Sequence, residues 1–170
     1  VDDYYWMRLT DEQKSAEQKD DHAQEVVDYI TAENDYTQSQ LSHTEKFQDD
    51  LFNEIVGRIK KDDESVPYYD NGYFYYTRYE KGKEYAIRCR KKGSLDGEEE
   101  ILLDENVLAK GHDYFAIGGM SVSPDNQWLA YGVDTVSRRR YTVHFKNLDT
   151  GEVLSQTIPN TTGGVAWAND

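Results

Sequence analysis

The sequence is poor in cysteine, in basic residues and in long apolar runs, and each shortage excludes a class of protein. Cys89 is the single cysteine, so no disulfide can form within the chain and nothing requires an oxidising compartment. Lysine and arginine total 19 against 33 acidic residues, a net charge of −14, which excludes a general binder of nucleic acid. No apolar run approaches the roughly 18 residues of a membrane span, so we expect no membrane partner.

The sequence begins at Val1 without an initiator methionine, and we expect no signal peptide in it. Val1-Asp2-Asp3 has no basic region ahead of an apolar stretch. We therefore expect that upstream residues were removed or left out. We also expect a cytoplasmic protein, with a periplasmic location as the alternative.

Motifs for catalysis and for cofactor binding are also missing. The nearest approach to a nucleophile elbow is residues 119–123, Gly-Met-Ser-Val-Ser, where Ser123 replaces the final glycine and strand signals follow Ser121. There is no Walker A loop and no G-x-G-x-x-G. The four histidines are scattered and form no metal-binding pair: His22, His43, His112 and His144. We assign no catalytic, cofactor-binding or metal-binding residue and expect no cofactor.

Three further segments have ordinary structural explanations. Residues 96–100, Asp-Gly-Glu-Glu-Glu, lack the alternating acids of a calcium loop and are predicted to be a hairpin loop. Arg138-Arg139-Arg140 is the one basic run; it could contact phosphate, but at the start of a strand in so acidic a chain we expect structural or salt-bridge use. Asn160-Thr161-Thr162 fits the glycosylation pattern, which matters only in a eukaryotic secretory setting.

The first third of the chain is predicted to be helical. An aromatic arm, residues 4–9, is expected to dock on its own protein. Asp21 with Gln24 and Ser42 with Glu45 are two capping-box patterns. Apolar residues then recur mostly at helical spacing, namely Ala23, Val26, Val27, Ile30, Thr37 and Leu41, followed by Phe47, Leu51, Ile55 and Ile59. We predict a helical hairpin whose partner surface need not lie within this chain.

The periodicity changes from 3.6 to 2 after a charged segment, residues 60–65, which we expect to lack regular structure. Pro67 ends any helix before it. We therefore predict a helical domain over residues 1–66 and a β-domain over residues 67–170. Strands are predicted at residues 73–79, 85–90, 101–103, 114–123, 127–133, 141–147 and 153–158.

One pattern recurs in the β-domain: a strand, a tight turn rich in Asp and Asn, and an aromatic strand. It is clearest at residues 121–131, where Pro124 to Asn126 make the turn. Copies near Tyr68 and Val165 lie about fifty residues before and about forty-four after it, within the range of propeller blades. We predict one four-stranded blade, a shorter one before it and the first strand of a third, cut from a longer β-propeller protein. A small β-sandwich is the alternative, although it does not need the repeated aromatic strand.

The order of several segments resembles the prolyl oligopeptidase family of serine peptidases, and within it the oligopeptidase B (protease II) group. The segments are Asp2-Asp3-Tyr4-Tyr5-Trp6-Met7-Arg8, Ala32-Glu33-Asn34, Glu84-Tyr85-Ala86-Ile87, Gly118-Gly119-Met120, Ser123-Pro124-Asp125-Asn126, Ser137-Arg138-Arg139, Asn147-Leu148-Asp149-Thr150-Gly151 and Trp167-Ala168-Asn169-Asp170. The chain departs from the family at Met7, where leucine is common, and in the variable residues 10–21.

The resemblance implies an α+β fragment of a two-domain enzyme that cleaves short peptides after Arg or Lys. The helical arm would pack on an α/β-hydrolase domain that is absent here, and the first blades of a seven-bladed propeller would limit access to it. The Ser-His-Asp triad would lie in that absent domain, so this fragment alone is expected to be inactive. Its partners would be the hydrolase domain, the remaining blades, short peptides and, through open strand edges, further copies. The alternative function is a non-enzymatic propeller that serves as a protein-binding module.

Overall fold

The structure is a computed structural model that describes residues 2–168. The chain divides into two compact units between Ile59 and Lys60. The helices are α1 (Asp11–Ser15), α2 (Asp21–Leu41), α3 (Glu45–Gly57) and α4 (Glu105–Leu108). The strands are β1 (Tyr68–Asp70), β2 (Tyr73–Arg78), β3 (Ile87–Lys92), β4 (Glu99–Asp104), β5 (Ala116–Val122), β6 (Trp128–Asp134), β7 (Tyr141–Asn147) and β8 (Ile158–Thr161). None of the described helices combines the length and the apolar composition of a membrane span.

The first unit begins with an arm that contacts its longest helix. Tyr5–Met7 forms a 3₁₀ turn. Within this turn, the ring of Trp6 meets the ring of Tyr29 on α2 edge to face, with centroids 5.4 Å apart. The aromatic arm therefore docks on its own chain, as its sequence predicts.

Side-chain caps start both helices that follow the arm. The Thr10 hydroxyl accepts the Gln13 N–H while the Gln13 side chain accepts the Thr10 N–H, so a capping box opens α1. At α2 the cap is Asp20, whose carboxylate accepts the Ala23 N–H at 2.7 Å. The predicted cap, Asp21, is instead the first helical residue, where its negative charge still favours the helix dipole.

The predicted helical hairpin is wrong, because a 3₁₀ turn, Ser42–Thr44, joins α2 to α3 without reversing the chain. Leu41 and Glu45, which flank this turn, both have right-handed helical backbone angles. Ser42 does not cap α3; its hydroxyl donates to the Ser39 carbonyl of the preceding turn. No glycine or proline lies between the two helices to provide a reversing loop.

The apolar stripe of α3 has no cover within the described part of the first unit. The helix buries none of its residues, and Phe47 is 66% exposed. On α2 the buried residues are Ala23 and Val26, both in its first two turns. The spacing therefore identified a real apolar face, but not one that the first unit buries.

The second unit contains two four-stranded antiparallel sheets, each made of four consecutive strands. Their strand orders are β1-β2-β3-β4 and β5-β6-β7-β8. No strand crosses from one sheet to the other, whereas the Greek-key connections of a sandwich exchange strands between sheets. A meander of four strands that is repeated along the chain is the topology of propeller blades.

The first sheet contains four strands, one more than the three that the sequence predicts for it. β1 pairs with β2 across a turn in which Asn71 and Gly72 have φ of 43° and 88°. Residues 63–65 continue the same edge, since the Ser65 N–H donates to the Thr77 carbonyl at 2.8 Å. The charged segment before Pro67 is thus partly paired, and these three residues are part of the second unit.

The last strand of the second sheet begins later in the chain than the strand predicted at residues 153–158. β8 begins at Ile158, and Val153 makes only an isolated bridge to Lys146. Residues 162–168 are assigned to no strand. The turn predicted at the third copy of the repeat, Asn169 and Asp170, lies outside the described residues.

The two sheets pack face to face through one apolar cluster. Its buried members are Tyr73, Tyr75, Leu102 and Leu103 from the first sheet, with Leu129 and Tyr131 from the second. The strand period of two places Tyr76 and Cys89 on the opposite face of the first sheet, in a smaller cluster. Each blade is therefore stabilised by its neighbour as well as by its own ladder.

Candidate functional site

The structure places the sequence candidates apart from one another. Ser121 lies inside β5, pairs with Ala130, and its carbonyl accepts the Nε1–H of Trp167 at 3.1 Å. The strand continues to Val122, so Ser121 is not at a strand-to-helix elbow. The histidines lie in α2, in the turn before α3, after α4 and in β7, at His22, His43, His112 and His144. Among residues 2–168, no three His, Cys, Asp or Glu side chains converge as a metal site would require.

The acidic segment 96–100 is half turn and half strand. Glu99 and Glu100 belong to β4 rather than to a loop. Glu99 pairs with Arg78 at 3.0 Å, and Glu100 pairs with Arg90 at 2.7 Å. These carboxylates are therefore committed to ion pairs across the sheet.

Arg90 forms the polar centre of the seam between the two sheets. It is 2% exposed, and its guanidinium lies 4.0 Å from the centre of the Tyr73 ring. Its Nη1 donates across the seam to the Asn126 carbonyl at 3.2 Å, while Nε donates to Glu100. A buried arginine that satisfies several acceptors fixes orientation through its planar geometry.

The matching turns of the two sheets also exchange side-chain hydrogen bonds. Asn71 Nδ2 donates to the Pro124 carbonyl at 2.8 Å, and Asn126 Nδ2 donates to the Asn71 carbonyl at 3.2 Å. Both asparagines have positive φ, a conformation that asparagine tolerates better than most residues. The repeated Asp-Asn turn thus locks one sheet to the next.

A third polar link crosses the seam between the two sheets. Lys146 on β7 donates from Nζ to the Leu102 carbonyl on β4 at 2.8 Å. Burial lowers the pKa of this ammonium below its usual value. The link therefore joins the two sheets at the cost of a partly desolvated charge.

On its other face the first sheet carries a charged network. The Tyr76 hydroxyl donates to Glu99, and Arg78 donates to the same carboxylate from Nε and Nη2. The hydrogen bonds from Arg78 are the main reason that the pKa of Glu99 is lowered, and burial is the main reason that the pKa of Tyr76 is raised. Cys89 lies beside this network and is 1% exposed.

We predict that Cys89 resists alkylation in the folded protein. Burial first, and then the charge of Glu99, raise the pKa of its thiol to about 11. At pH 8 the thiolate fraction is then on the order of one in a thousand, and only the thiolate reacts readily. Iodoacetamide followed by mass spectrometry of the peptide containing Cys89 should show no labelling in native protein and full labelling in guanidinium. Rapid native labelling would contradict the burial of this side chain.

A buried carboxylate organises the basic loop between β6 and β7. Asp134 is 1% exposed and accepts the backbone N–H groups of Val136, Arg138 and Arg139 at 2.8, 3.0 and 2.8 Å. These bonds, that of Val136 foremost, lower the pKa of Asp134. Arg138 to Arg140 form no ion pair with described residues, so the structural use of this run is through its backbone.

Acid should loosen this loop. Because the folded pKa of Asp134 lies below its unfolded value, its contribution to stability is complete above the usual aspartate pKa and is lost as pH falls through the folded pKa. An Asp134→Asn variant should be less stable than the parent at neutral pH, and the difference should shrink towards low pH. Denaturant midpoints at a series of pH values measure this, and a difference that grows on acidification would contradict it.

Taken together, these residues can hold two sheets in register but supply no nucleophile with a base. The sequence analysis missed Arg90 and Asp134. Arg90 lies in a strand of mostly basic residues and has no signal of burial in the sequence, whereas Asp134 ends a strand just before residues that favour a turn. Both are buried polar residues in the positions where such a scaffold needs them.

Comparison with known proteins places the whole chain in one group. Residues 1–170 match the family described as prolyl oligopeptidase, N-terminal beta-propeller domain. Dipeptidyl aminopeptidase BI of Pseudoxanthomonas mexicana is 40% identical over 99% of this chain, and Protease 2 of Moraxella lacunata is 32% identical over 98%. The chain covers 24% of each of these two proteins.

Solved structures agree with the sequence comparison. Oligopeptidase B from Leishmania major superposes with a TM-score of 0.84 and 30% identity over 98% of this chain and 23% of that chain. Oligopeptidase B from Trypanosoma brucei, in a closed form with covalently bound antipain, gives 0.82 and 28% over 100% and 23%. Both proteins therefore contain the arm, the helices and the paired sheets seen here.

Proposed function

The chain belongs to the prolyl oligopeptidase family, as its N-terminal β-propeller portion, and from this premise we propose that it forms the scaffold and entrance of a serine oligopeptidase. The match of nearly the whole chain to a dipeptidyl aminopeptidase at 40% identity carries this proposal. Because the chain spans about a quarter of its relatives, the chemistry is assigned to the part that it does not span.

The proposed reaction is acyl transfer from a short peptide. A serine of the C-terminal hydrolase domain attacks the peptide carbonyl, a histidine held by an aspartate moves the proton, and backbone N–H groups stabilise the oxyanion. Residues 2–168 contribute no group to these steps. Their proposed task is to keep the propeller rigid, so that only short peptides pass, and the seam around Arg90 and the paired asparagines supports that task.

Two specificities have separate support. Cleavage after Arg or Lys is supported by the similarity to oligopeptidase B structures at 30% and 28% identity. Removal of dipeptides from a free N-terminus is supported by the name of the relative that is 40% identical. We favour cleavage after Arg or Lys, because it is supported by two oligopeptidase B structures and by the Protease 2 relative.

Chromogenic peptides distinguish the two. We expect the full-length protein to hydrolyse an N-terminally blocked peptide that ends in Arg before the chromophore, and a serine-directed inhibitor to abolish this turnover. Activity only on the matching peptide with a free N-terminus would favour dipeptide removal. Absence of inhibitor-sensitive turnover on both would support the non-enzymatic binding module instead.

We also propose that the hydrolase domain covers the exposed apolar stripe of α3 and that the remaining blades cover the unpaired edges of the sheets. Exposed apolar residues such as Phe47 and unpaired edge strands such as β1 are otherwise sites of association. Residues 1–170 expressed alone should therefore be inactive and elute from size-exclusion chromatography as oligomers. A compact, well-folded monomer would contradict this.

A further inference from the structure

A cleft of about 360 Å³ opens beside the seam of the second unit. Its volume lies within the range of small-molecule sites, which begins at about 300 Å³. The residues that matter for recognition are His112 and Phe115 from the connection between α4 and β5, Tyr131 and Thr135 from β6 and its end, and Thr142 and His144 from β7. Three separate segments therefore build the cleft.

Aromatic rings form much of its walls. Tyr131 and His144 are a cross-strand pair whose rings stack with centroids 5.5 Å apart and planes 23° apart. The connection between α4 and β5 contributes His112 and Phe115, whose rings are 6.5 Å apart and tilted by 31°. Tyr131 and Phe115 are 3% and 5% exposed, so the rings that a ligand can contact are mainly the imidazoles of His112 and His144. Imidazole faces favour contact with a flat ring.

Tyr131 is the residue that points to a ligand. Its side chain is 3% exposed, and its hydroxyl makes no hydrogen bond to any of residues 2–168. This oxygen is not sealed inside the protein, because the one sealed side-chain polar atom without a partner is Asn126 Oδ1. Most buried side-chain polar groups have a partner, so a hydroxyl left open to a cleft calls for an explanation.

The chemistry of the lining limits the ligand. The Thr142 hydroxyl and the His144 imidazole also lack hydrogen bonds within the described chain, so the cleft offers several groups that can donate or accept. It contains no carboxylate, ammonium or guanidinium group. A charged ligand would therefore lose its hydration without gaining a counter-charge.

We propose that this cleft binds a free, flat and uncharged aromatic molecule that carries a hydrogen-bonding group, of the phenol class. The ring contacts the imidazoles of His112 and His144, and its polar group hydrogen-bonds to the Tyr131 hydroxyl. The proposal does not depend on peptidase activity.

The test uses p-cresol and the full-length protein, with isothermal titration calorimetry to measure Kd. Tyr131→Phe should weaken binding about three- to tenfold, the effect of one lost hydrogen bond. Its melting temperature should match that of the parent, because the hydroxyl has no partner in the protein. Tyr114→Phe is the matched control, since Tyr114 is 38% exposed and lies outside the cleft, and its Kd should be unchanged.

Three results would overturn the proposal. The first is no saturable binding of p-cresol at millimolar concentration. The second is an equal Kd for the parent and Tyr131→Phe. The third is binding of N-acetyltyrosinamide without binding of p-cresol, which would identify the aromatic side chain of a peptide as the occupant in place of a free molecule.

Discussion

Replacing Leu129 with alanine is expected to destabilise the paired sheets by about 3 kcal/mol. Leu129 is 0% exposed and lies in the cluster between the sheets, with Tyr73 and Leu102 among its members. Its strand, β6, is paired on both sides, with β5 and with β7, so the backbone cannot move inward to fill the cavity. The loss therefore combines the transfer of the side chain with an unfilled void.

Hydrogen exchange of the full-length protein measures this loss. Amides of β6 that open together with the seam should exchange about a hundredfold faster, since each 1.4 kcal/mol is a factor of ten. Leu95→Ala is the matched control, because Leu95 is 50% exposed in a turn and its truncation should cost less than about 0.5 kcal/mol. Equal effects of the two substitutions would show that the seam is not a core.

Gly119→Ala should be the second most damaging change. A β-carbon at this position would lie well inside van der Waals contact with the Gly163 carbonyl oxygen, and one at Gly132 would lie 2.7 Å from the Gly163 Cα. The atoms that such a β-carbon would contact belong to the backbone of Gly163 and Gly164, so no flexible side chain can move aside to make room. We expect a cost of about 1–3 kcal/mol, as is typical of overpacked sites.

The damage should be local to the chain that leaves β8. The segment around Gly163 lies on the second sheet, where Trp167 donates to Ser121 and packs near Phe145. Amides of residues 163–167 should exchange faster in Gly119→Ala, because this contact is pushed apart. Gly164→Ala is the control, since nothing lies within 4 Å of a β-carbon there, and it should leave exchange unchanged. Faster exchange in the control alone would contradict the packing described here.

Much of the second unit could be predicted because the same pattern of a turn followed by an aromatic strand occurs in both sheets. Tyr73 and Tyr75 lie two residues apart in an aromatic strand and face the seam, and the turns at Asn71 and Asn126 carry residues that tolerate positive φ. β1 was left out of the strand count because its three residues are exposed and too few for alternation to show. α4 was missed for a similar reason, since four residues are about one helical turn.

The helical unit shows what periodicity cannot decide. The spacing of Phe47, Leu51 and Ile55 identifies a helical face, but it contains no information on the direction of the chain between helices. That direction depends on the backbone angles of Ser42–Thr44, and a 3₁₀ turn there needs no special residue. The seam was equally hidden, because Arg90 and Lys146 donate to carbonyls that are remote in sequence, at Asn126 in a turn and at Leu102 on β4.

The meander has a consequence for how this polypeptide folds during synthesis. Every strand pairs only with strands adjacent in the sequence, so each sheet can be completed as soon as its own residues leave the ribosome. The hydrogen bond from the Asn71 side chain to the Pro124 carbonyl can form only when Pro124 has emerged, little more than fifty residues later. Growth by successive addition to a finished template leaves only the newest edge exposed to aggregation at any moment.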